Sequence, residues 1–577
     1  MTRLFNDPAA FADEMIEGFA AASAAWVQPV PGGVVRSTRA AEPTVALVIG
    51  GGSGHYPAFG GLVGAGLAHG AAMGNLFASP SAQQVHSVAK TADQGRGVLL
   101  SYGNYAGDVL HFDQAQARLI AEGHDVRTVV VTDDIWSAPS DRKEQRRGIA
   151  GDLAVFKIAG AAAAAGYDLD GVERVARHAN ERTRSFGVAF TGCTLPGARA
   201  PLFEVPPGKM AVGLGIHGEP GIDVVDVPTA DELAALFVEG LLKEAPAGAG
   251  TRVVPLLNGL GGVKYEELFV VYRAVRRLLA ERGLHVVEPE VGELCTSFDM
   301  AGCSLTLLWL DDELERLWAA PADAPAYRKG AVPQQERVDV PTQAEADAAI
   351  ASGSAESQRT AALVGIALDA MVDAIDTAAD ELGRLDSIAG DGDHGIGMRR
   401  GVHAGRDAAQ AAIAAGAGAG TTLTACADAW SDKAGGTSGA IWAAMLRELG
   451  ASLGDDAAPT RTDVAQGCSR ARDAVMAFGK AQVGDKTMVD AIVPFADTLT
   501  AGVARGDTLT EAWSQAALAA QTAADRTADL AASLGRARSH GDRSIGTPDP
   551  GAISFALLTR TVEAVLTESQ EQPCSGA

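Results

Sequence analysis

The sequence predicts a multidomain chain, with an N-terminal α/β region of two subdomains followed by an all-α helical region. Three observations carry this. The 577 residues exceed what a single hydrophobic core supports, and the length prior is about three or four domains. In the first half, short apolar runs alternate with loop-and-helix segments. Beyond Ser357, strand-like runs almost vanish and alanine-rich amphipathic periodicity takes over.

In chain order, residues 44–49 read as a buried strand ending in Gly50-Gly-Gly-Ser-Gly-His55. Residues 97–101 end in Tyr102-Gly-Asn-Tyr-Ala-Gly-Asp108, and residues 126–132 end in Asp133-Asp134. Three strands, each followed by a polar or glycine-rich loop and a helical pattern, predict a mostly parallel sheet. Ligands of such sheets sit beyond the carboxyl ends of the strands, where His55 and Asp108 fall. A second α/β section spans about 186–317, with apolar runs at 209–217, 252–258 and 304–309. From about 319 to 356 the pattern decays into Pro, Ala, Asp and Gln, the composition of a linker. The expected boundaries are 1–325 for the first module (subdomains about 1–185 and 186–325), 326–356 for the linker and 357–570 for the helical module.

Within the helical module, Leu363, Ile366, Ala367, Ala370, Met371, Ala374, Ile375, Ala378 and Leu382 keep one face of a helix. Four polar, glycine-bearing stretches interrupt the helices, at 385–398, 435–439, 484–488 and 546–551. Four in one helical domain predict that loops at one end of the bundle form a site.

Hydrophobic content of 47% with 21% charged residues is globular, and no uninterrupted apolar run reaches membrane-spanning length. Asp7, Asp13, Glu14 and Glu17 make the first twenty residues unlike a secretory signal. The six cysteines (193, 295, 303, 426, 468, 574) form no CxxC pair and fit a reducing cytoplasm. A net charge of −25 repels nucleic acid and anionic membrane, so neither is an expected partner. It also repels a nucleotide, so use of ATP requires a local cation site.

The stretch 385–398 offers one. Asp386, Asp391 and Asp393 stand among four glycines, and carboxylates this close are costly unless a cation neutralises them. Hard divalent ions such as Mg2+ take these ligands and share them with phosphates, which glycine-rich backbone also cradles. An EF-hand fails, because counting from Asp391 puts Ile396 at the turn glycine and Val402 at the closing glutamate. A dinucleotide fingerprint fails at His55, which stands where the last glycine belongs, and no Walker A sequence exists. His55 at a strand end is a helix cap or a ligand group, His217 in Gly-Ile-His-Gly-Glu-Pro-Gly is a turn histidine or a nucleophile, and Asp108 is an N-cap or a base.

Together these motifs resemble a known family. GGGSGH at 50–55, GNYAGD at 103–108 and GIHGEPG at 215–221 are similar to the substrate-binding module of the dihydroxyacetone kinases. LDSIAGDGDHG at 385–395, GGTSG at 435–439, GKAQVGDKTM at 479–488 and GRARSHGDRSIGTPDPGA at 535–552 are similar to that family's nucleotide-binding module. The motifs occur in the family's order over nearly the whole chain.

The resemblance implies that His217 adds to the ketone carbon and holds the substrate as a hemiaminal, which selects small ketoses over polyols. It implies that Gly52, Ser53, Gly54, His55 and Asp108 surround the substrate hydroxyls, with Asp108 and His55 the candidates for general base. Asp386, Asp391 and Asp393 would hold two Mg2+ ions bridging the ATP phosphates. Nucleotide contacts carry over to His394, Gly395, Ile396, Gly397, Thr437, Ser438, Gly479, Met488, Arg536, Asp549, Pro550 and Gly551. The family's nucleotide module is a barrel of antiparallel helices, and its members suggest a cytoplasmic homodimer.

Two departures bear on the substrate. Tyr56 replaces a glutamate in the family's GHEP, and Gly103 replaces a lysine that many members have before Asn-Tyr. Losing that lysine is expected to open room for an additional carbon. The variants resemble a branch that phosphorylates tetruloses, in particular D-erythrulose at O4, with dihydroxyacetone as the competing substrate. Two alternatives are a phosphotransferase-system form with ADP as cofactor and a non-catalytic ketose-sensing coregulator.

Overall fold

The computed structural model describes residues 2–217, 219, 221–333, 335–337, 350, 352–390, 392–534 and 544–571, and divides into two compact units, 1–346 and 347–577.

The first unit begins with α1 (Phe11–Ala22), β1 (Val27–Val30), β2 (Gly33–Arg36), the short β3 (Thr38–Arg39) and β4 (Ala46–Ser53). Then come β5 (Gly70–Leu76), α2 (Ala82–Ala92), β6 (Val98–Gly103), α3 (Ala106–Ala121) and β7 (Val126–Val131). The six-stranded sheet has the order β1-β2-β5-β4-β6-β7. Strands β5, β4, β6 and β7 are parallel as expected, and β2 and β1 extend the edge antiparallel. Every residue of β4 is buried, so the strand reads as an unbroken apolar and small-residue run rather than as an alternation.

A second sheet follows α4 (Gly151–Ala164) and α5 (Leu169–Glu181). Its strands are β8 (Thr183–Ala189), β9 (Lys209–Val212), β10 (Asp223–Asp226), β11 (Arg252–Gly259), β12 (His285–Val286), β13 (Glu290–Gly292) and β14 (Gly302–Trp309). The order is β10-β9-β8-β14-β11-β12, with β13 also on β11. The long pairs β8–β14 and β14–β11 are antiparallel, so this section differs in pairing from the first. Helices α6 (Ala230–Lys243) and α7 (Tyr265–Glu281) cover it, and α8 (Asp312–Ala319) closes the section. Helix α4 touches β4 of one sheet and β8 and β14 of the other. Thirteen of its fourteen residues are buried, which explains a helix that, Asp152 and Lys157 apart, is apolar all round instead of striped.

The second unit holds eight helices among the described residues: α9 (Ala355–Ala389), α10 (His394–Ala414), α11 (Ala419–Ala434), α12 (Gly436–Leu453), α13 (Arg461–Gly479), α14 (Val489–Arg505), α15 (Leu509–Arg526) and α16 (Pro550–Glu571). Each packs on the next and α16 returns to α9, so the helices close into a ring. Short connections make the neighbours antiparallel. The interior is aromatic: Trp430 stacks on Trp442 with centroids 5.1 Å apart, and Phe495 meets Trp513 and Phe555 edge-on. Up-and-down alternation puts the connections α9–α10, α11–α12, α13–α14 and α15–α16 at the same end. These carry the four polar stretches singled out from the sequence. No helix among the described residues is long and apolar enough to cross a membrane.

Candidate active site

In the first unit, His55 follows the carboxyl end of β4, after Gly54 at φ +102°. That conformation and the Phe77 ring, 2.7 Å from where a Cβ would stand, restrict position 54 to glycine. His55 Nδ1 lies 2.8 Å from the Thr296 carbonyl, and its Nε2 lies 3.0 Å from Nε2 of His217. The carbonyl accepts only, so Nδ1 of His55 carries the hydrogen. Burial, and then the neighbouring His217, push the His55 pKa down to about 3. The structure therefore joins two histidines that stand 162 residues apart in the sequence.

Aromatic rings enclose the pair. Phe77 stacks on His55 at 5.0 Å and meets His217 edge-on at 5.4 Å, and the Tyr105 ring meets His217 edge-on at 4.5 Å. Phe77 takes φ +53°, a conformation that costs a non-glycine residue and clusters at functional sites. Sequence reasoning missed it, since nothing in Asn75-Leu-Phe-Ala78 signals a left-handed phenylalanine.

His217 is positioned by Glu219. The His217 backbone N–H donates to Glu219 Oε2 at 3.0 Å, and its Nδ1 lies 3.2 Å from Oε1. Arg147 lies 3.8 Å from Oε2 of Glu219 and makes a two-pronged contact with Asp134 at 2.8 and 3.1 Å. Burial alone would raise the Glu219 pKa, but His217 and Arg147 outweigh it and hold the carboxyl well below its usual range.

Asp108 is buried in the first turn of α3, where Tyr105, not Asp108, is the N-cap residue. Its charge acts on Tyr102 and on Asp152. Asp152 is itself buried, and desolvation followed by Asp133 and Asp108 pushes its pKa well up. A Cβ on Gly103 would stand 3.3 Å from each of Asp152 Oδ2, the Gly148 carbonyl and Tyr105, so the space beside Gly103 is already lined. The Ser53 hydroxyl donates to the Gly74 carbonyl at 2.6 Å, and at Gly52 the backbone of Phe77 and Ala78 leaves no room for a side chain. Tyr56 turns its ring toward Phe19 at 5.9 Å and is half exposed.

In the second unit, His394 is the hub. Its backbone N–H donates to Asp386 Oδ2 at 3.2 Å, Nε2 lies 3.0 Å from the Ser554 hydroxyl, and Nδ1 lies 3.4 Å from the Ser438 hydroxyl. It thus links the N-termini of α10, α12 and α16. The start of α14 joins them through Met488, whose Cβ is 3.5 Å from the Cβ position of Gly551. At this end the N-cap residues of α10, α12 and α14 make no side-chain cap, while Asp386 accepts from the His394 N–H, the Thr487 hydroxyl from the Val489 N–H and Asp549 from the Ala552 N–H at 2.7 Å. At the other end Thr460 and Thr508 form capping boxes and Ser354 caps α9, whereas Gly418 before α11 makes no side-chain cap. Uncapped helix N-termini gathered at one end make an anion site.

The carboxylates sit at the same end. Desolvation and then the Asp386 charge push Asp393 up to about 6. Asp549, pushed up to about 7 by burial, also senses Asp490 and Asp386. These acids are near enough to act on one another, but among the described residues no three His, Cys, Asp or Glu side chains are grouped so as to hold a metal ion. Ile396 and Thr437 are exposed on the first turns of α10 and α12, and Gly397 lies 3.6 Å from the Ala434 carbonyl by its Cβ position. Gly395 serves packing, because a Cβ there would come within 1.9 Å of the Ala379 carbonyl. Gly479 ends α13, and Pro550 starts α16. Asp391 and Arg536 lie outside the described residues. Lys486, which the sequence reading did not single out, donates to the carbonyls of Leu530 and Ser544 and ties this loop to the start of α16.

Two domain models match the chain, the Dak1 domain over residues 17–326 and the DAK2 domain over 388–564. An L-erythrulose kinase of Pectobacterium atrosepticum is 61% identical over 98% of this chain and 97% of its own length. A D-erythrulose kinase of Mycolicibacterium smegmatis is 53% identical over 99% of this chain and 100% of its own. The crystal structure of the dihydroxyacetone kinase from C. freundii in complex with AMP-PNP and Mg2+ matches with a TM-score of 0.52 and 29% identity, covering 98% of this chain and 99% of that one. With the first domain model spanning more than half of the sequence and the relatives nearly all of it, the chain belongs to the dihydroxyacetone kinase family, in its erythrulose-kinase branch, and is a phosphotransferase with an alcohol acceptor.

Proposed function

We propose that this kinase transfers the γ-phosphoryl group of ATP to a terminal hydroxyl of erythrulose held covalently on His217. The observation that carries the reading is the paired Nε2 atoms of His55 and His217, 3.0 Å apart at the carboxyl end of a parallel strand. His217 presents a ring nitrogen as nucleophile, and Glu219 fixes the opposite one. Asp108 accepts the proton of the reacting hydroxyl while neutral His55 orients the ketose. Gly52, Ser53 and Gly54 form the backbone wall against which the substrate hydroxyls lie.

In the second unit, Asp386 and Asp393, with Asp391, would hold Mg2+, and the open starts of α10, α12 and α14 would receive the phosphates. When bound, Mg2+ neutralises charge on the transferred group. A pair of ions is the number the family resemblance supports. The C. freundii relative with AMP-PNP and Mg2+ supports ATP as donor. The presence of the whole helical unit, with its anion end intact, favours catalysis over ketose sensing alone.

For the handedness of the sugar, the 61% identity to a protein named L-erythrulose kinase favours the L form over the D form suggested by the Tyr56 and Gly103 variants. The test is kcat/KM with Mg-ATP for L-erythrulose, D-erythrulose and dihydroxyacetone. L-erythrulose is expected to lead, and a clear preference for dihydroxyacetone overturns the tetrulose reading. His217→Ala is expected to abolish the tetrahedral carbon signal of [2-13C]dihydroxyacetone bound to the protein. Asp391→Asn is expected to stop ATP turnover and leave that signal in place.

A further inference from the structure

Two polar atoms beside the carboxyl end of β6 are buried without a hydrogen-bond partner among the described residues, Oδ1 of Asp152 and the hydroxyl of Tyr105. Buried polar atoms in folded proteins are nearly always paired, so a pair of orphans at the ligand end of a parallel sheet points to a ligand group. Gly103, the last residue of β6, lies between them. From the place a Cβ on Gly103 would take, Asp152 Oδ2 and Cε2 of Tyr105 are each 3.3 Å away. Asp152 belongs to the first turn of α4 and is 2% exposed. Tyr105 precedes α3 and sets its ring edge-on against His217, with centroids 4.5 Å apart. Its hydroxyl feels the charges of Glu219, Arg147, Asp134 and Asp152. Contacts therefore run from His217 through the Tyr105 ring to the space at Gly103 that Asp152 lines.

The Asp152 carboxyl is kept neutral by its surroundings. Burial first, then Asp133, then Asp108 raise its pKa well above the ordinary carboxylate range, and no cation offsets them. Asp133 already accepts from the N–H groups of Ile149 and Gly151, one on each oxygen. A protonated carboxyl both donates and accepts a hydrogen bond, and so does a phenol. A sugar hydroxyl has the same two roles and matches either group.

We propose that Asp152 and Tyr105 determine which ketose is used, by holding the hydroxyl that a four-carbon ketose carries and dihydroxyacetone lacks. This rests on the reading of His217 as the ketose anchor. Under that reading the two hydroxyls of dihydroxyacetone are received by Asp108 and by the wall of Gly52, Ser53 and Gly54. Erythrulose brings a third, and Asp152 and Tyr105 are the buried groups beside the anchor with capacity to spare. Asp108 acts on Asp152 through its charge, so the reacting end of the sugar and the proposed subsite adjoin. With the three-carbon ketose bound, both orphans stay unpaired. A site built around a hydroxyl discriminates against an analogue without it in this way.

The test is the ratio of kcat/KM for the faster of L- and D-erythrulose to that for dihydroxyacetone, measured with Mg-ATP on the full chain. Asp152→Leu removes both oxygens at similar shape, and Tyr105→Phe removes the hydroxyl alone. Each is expected to lower the ratio at least about tenfold, the effect of losing one buried hydrogen bond. Asp152→Asn, which keeps a neutral donor and acceptor, is expected to hold it within about threefold of wild type. An unchanged ratio in Asp152→Leu or in Tyr105→Phe overturns the proposal, because a merely structural role lowers turnover of both ketoses alike. A ratio that collapses as far in Asp152→Asn as in Asp152→Leu overturns the neutral-acid role. Should Asp152→Leu not fold, Tyr105→Phe decides by the same ratio. Failure of the underlying reading looks different. If the wild type itself prefers dihydroxyacetone, or His217→Ala retains the tetrahedral signal of bound [2-13C]dihydroxyacetone, that reading falls. A wild-type preference for erythrulose that survives both substitutions refutes only the present proposal.

Discussion

Gly395→Ala sets two effects of opposite sign against each other. Replacing glycine by alanine inside a helix favours the helix by about 1 kcal/mol, so propensity alone predicts a more stable protein. Packing predicts the reverse. The new Cβ would stand 1.9 Å from the Ala379 carbonyl oxygen, 2.8 Å from its carbon and 3.0 Å from the Gly383 nitrogen. All three are backbone atoms of α9, so no side chain can rotate away, and α10 has to withdraw by roughly 1.5 Å to reach ordinary contact. Overpacking of this kind costs about 1–3 kcal/mol, and a backbone wall puts it at the upper end, leaving a net loss of about 2 kcal/mol. For a unit of this size that is a fall in Tm of about 4–8 °C. The same withdrawal carries His394 away from Asp386 and Ser554, now 3.2 and 3.0 Å distant, so KM for ATP is expected to rise at least about tenfold. Ketose capture in the first unit should not change. Calorimetry and ATP-dependent turnover read both effects, and a Tm at or above wild type with ordinary ATP kinetics refutes the steric argument.

Lys486→Met is expected to leave the carbonyls of Leu530 and Ser544 without their buried donor, lowering stability by about 1–3 kcal/mol in denaturant titration; an unchanged midpoint counts against the tie. Asp133 is fully buried, accepts from the N–H groups of Ile149 and Gly151, and has its pKa raised by desolvation to about 6. The stability it contributes is present below its unfolded value near 4 and is lost as pH rises through 6. Asp133→Asn should therefore gain on wild type in Tm progressively from pH 4 to pH 7, and a difference independent of pH contradicts the sign.

Much of this was legible in the sequence because the relevant signals are local. The parallel strands announce themselves by apolar runs ending in polar loops, and the bundle's functional end by its four glycine-bearing stretches. What escaped is non-local or unpatterned. Strand β5 is built of small residues buried toward both faces, so Gly70-Ala-Ala-Met-Gly-Asn-Leu76 shows no alternation and few β-formers. The antiparallel order of the second sheet depends on β8 finding β14 across more than a hundred residues. The tautomer of His55 is set by a backbone carbonyl, that of Thr296, which no residue type encodes. The neighbours that a side chain at Gly103 would meet include Asp152 and Gly148, and only tertiary packing brings them there.

The uneven capping of the helical ring has a consequence for how the second unit breathes. At its far end α9, α13 and α15 are capped by their own serine and threonines and α11 is not, while the N-cap residues of α10, α12 and α14 make no side-chain cap. Helix ends fray first, so amide exchange in the free protein is expected early in those first turns. A bound polyphosphate would add acceptors there to those of Asp386, Thr487 and Asp549. On the proposed function the nucleotide would then be structural element as well as reactant, and the ring is expected to exchange more slowly while it is loaded.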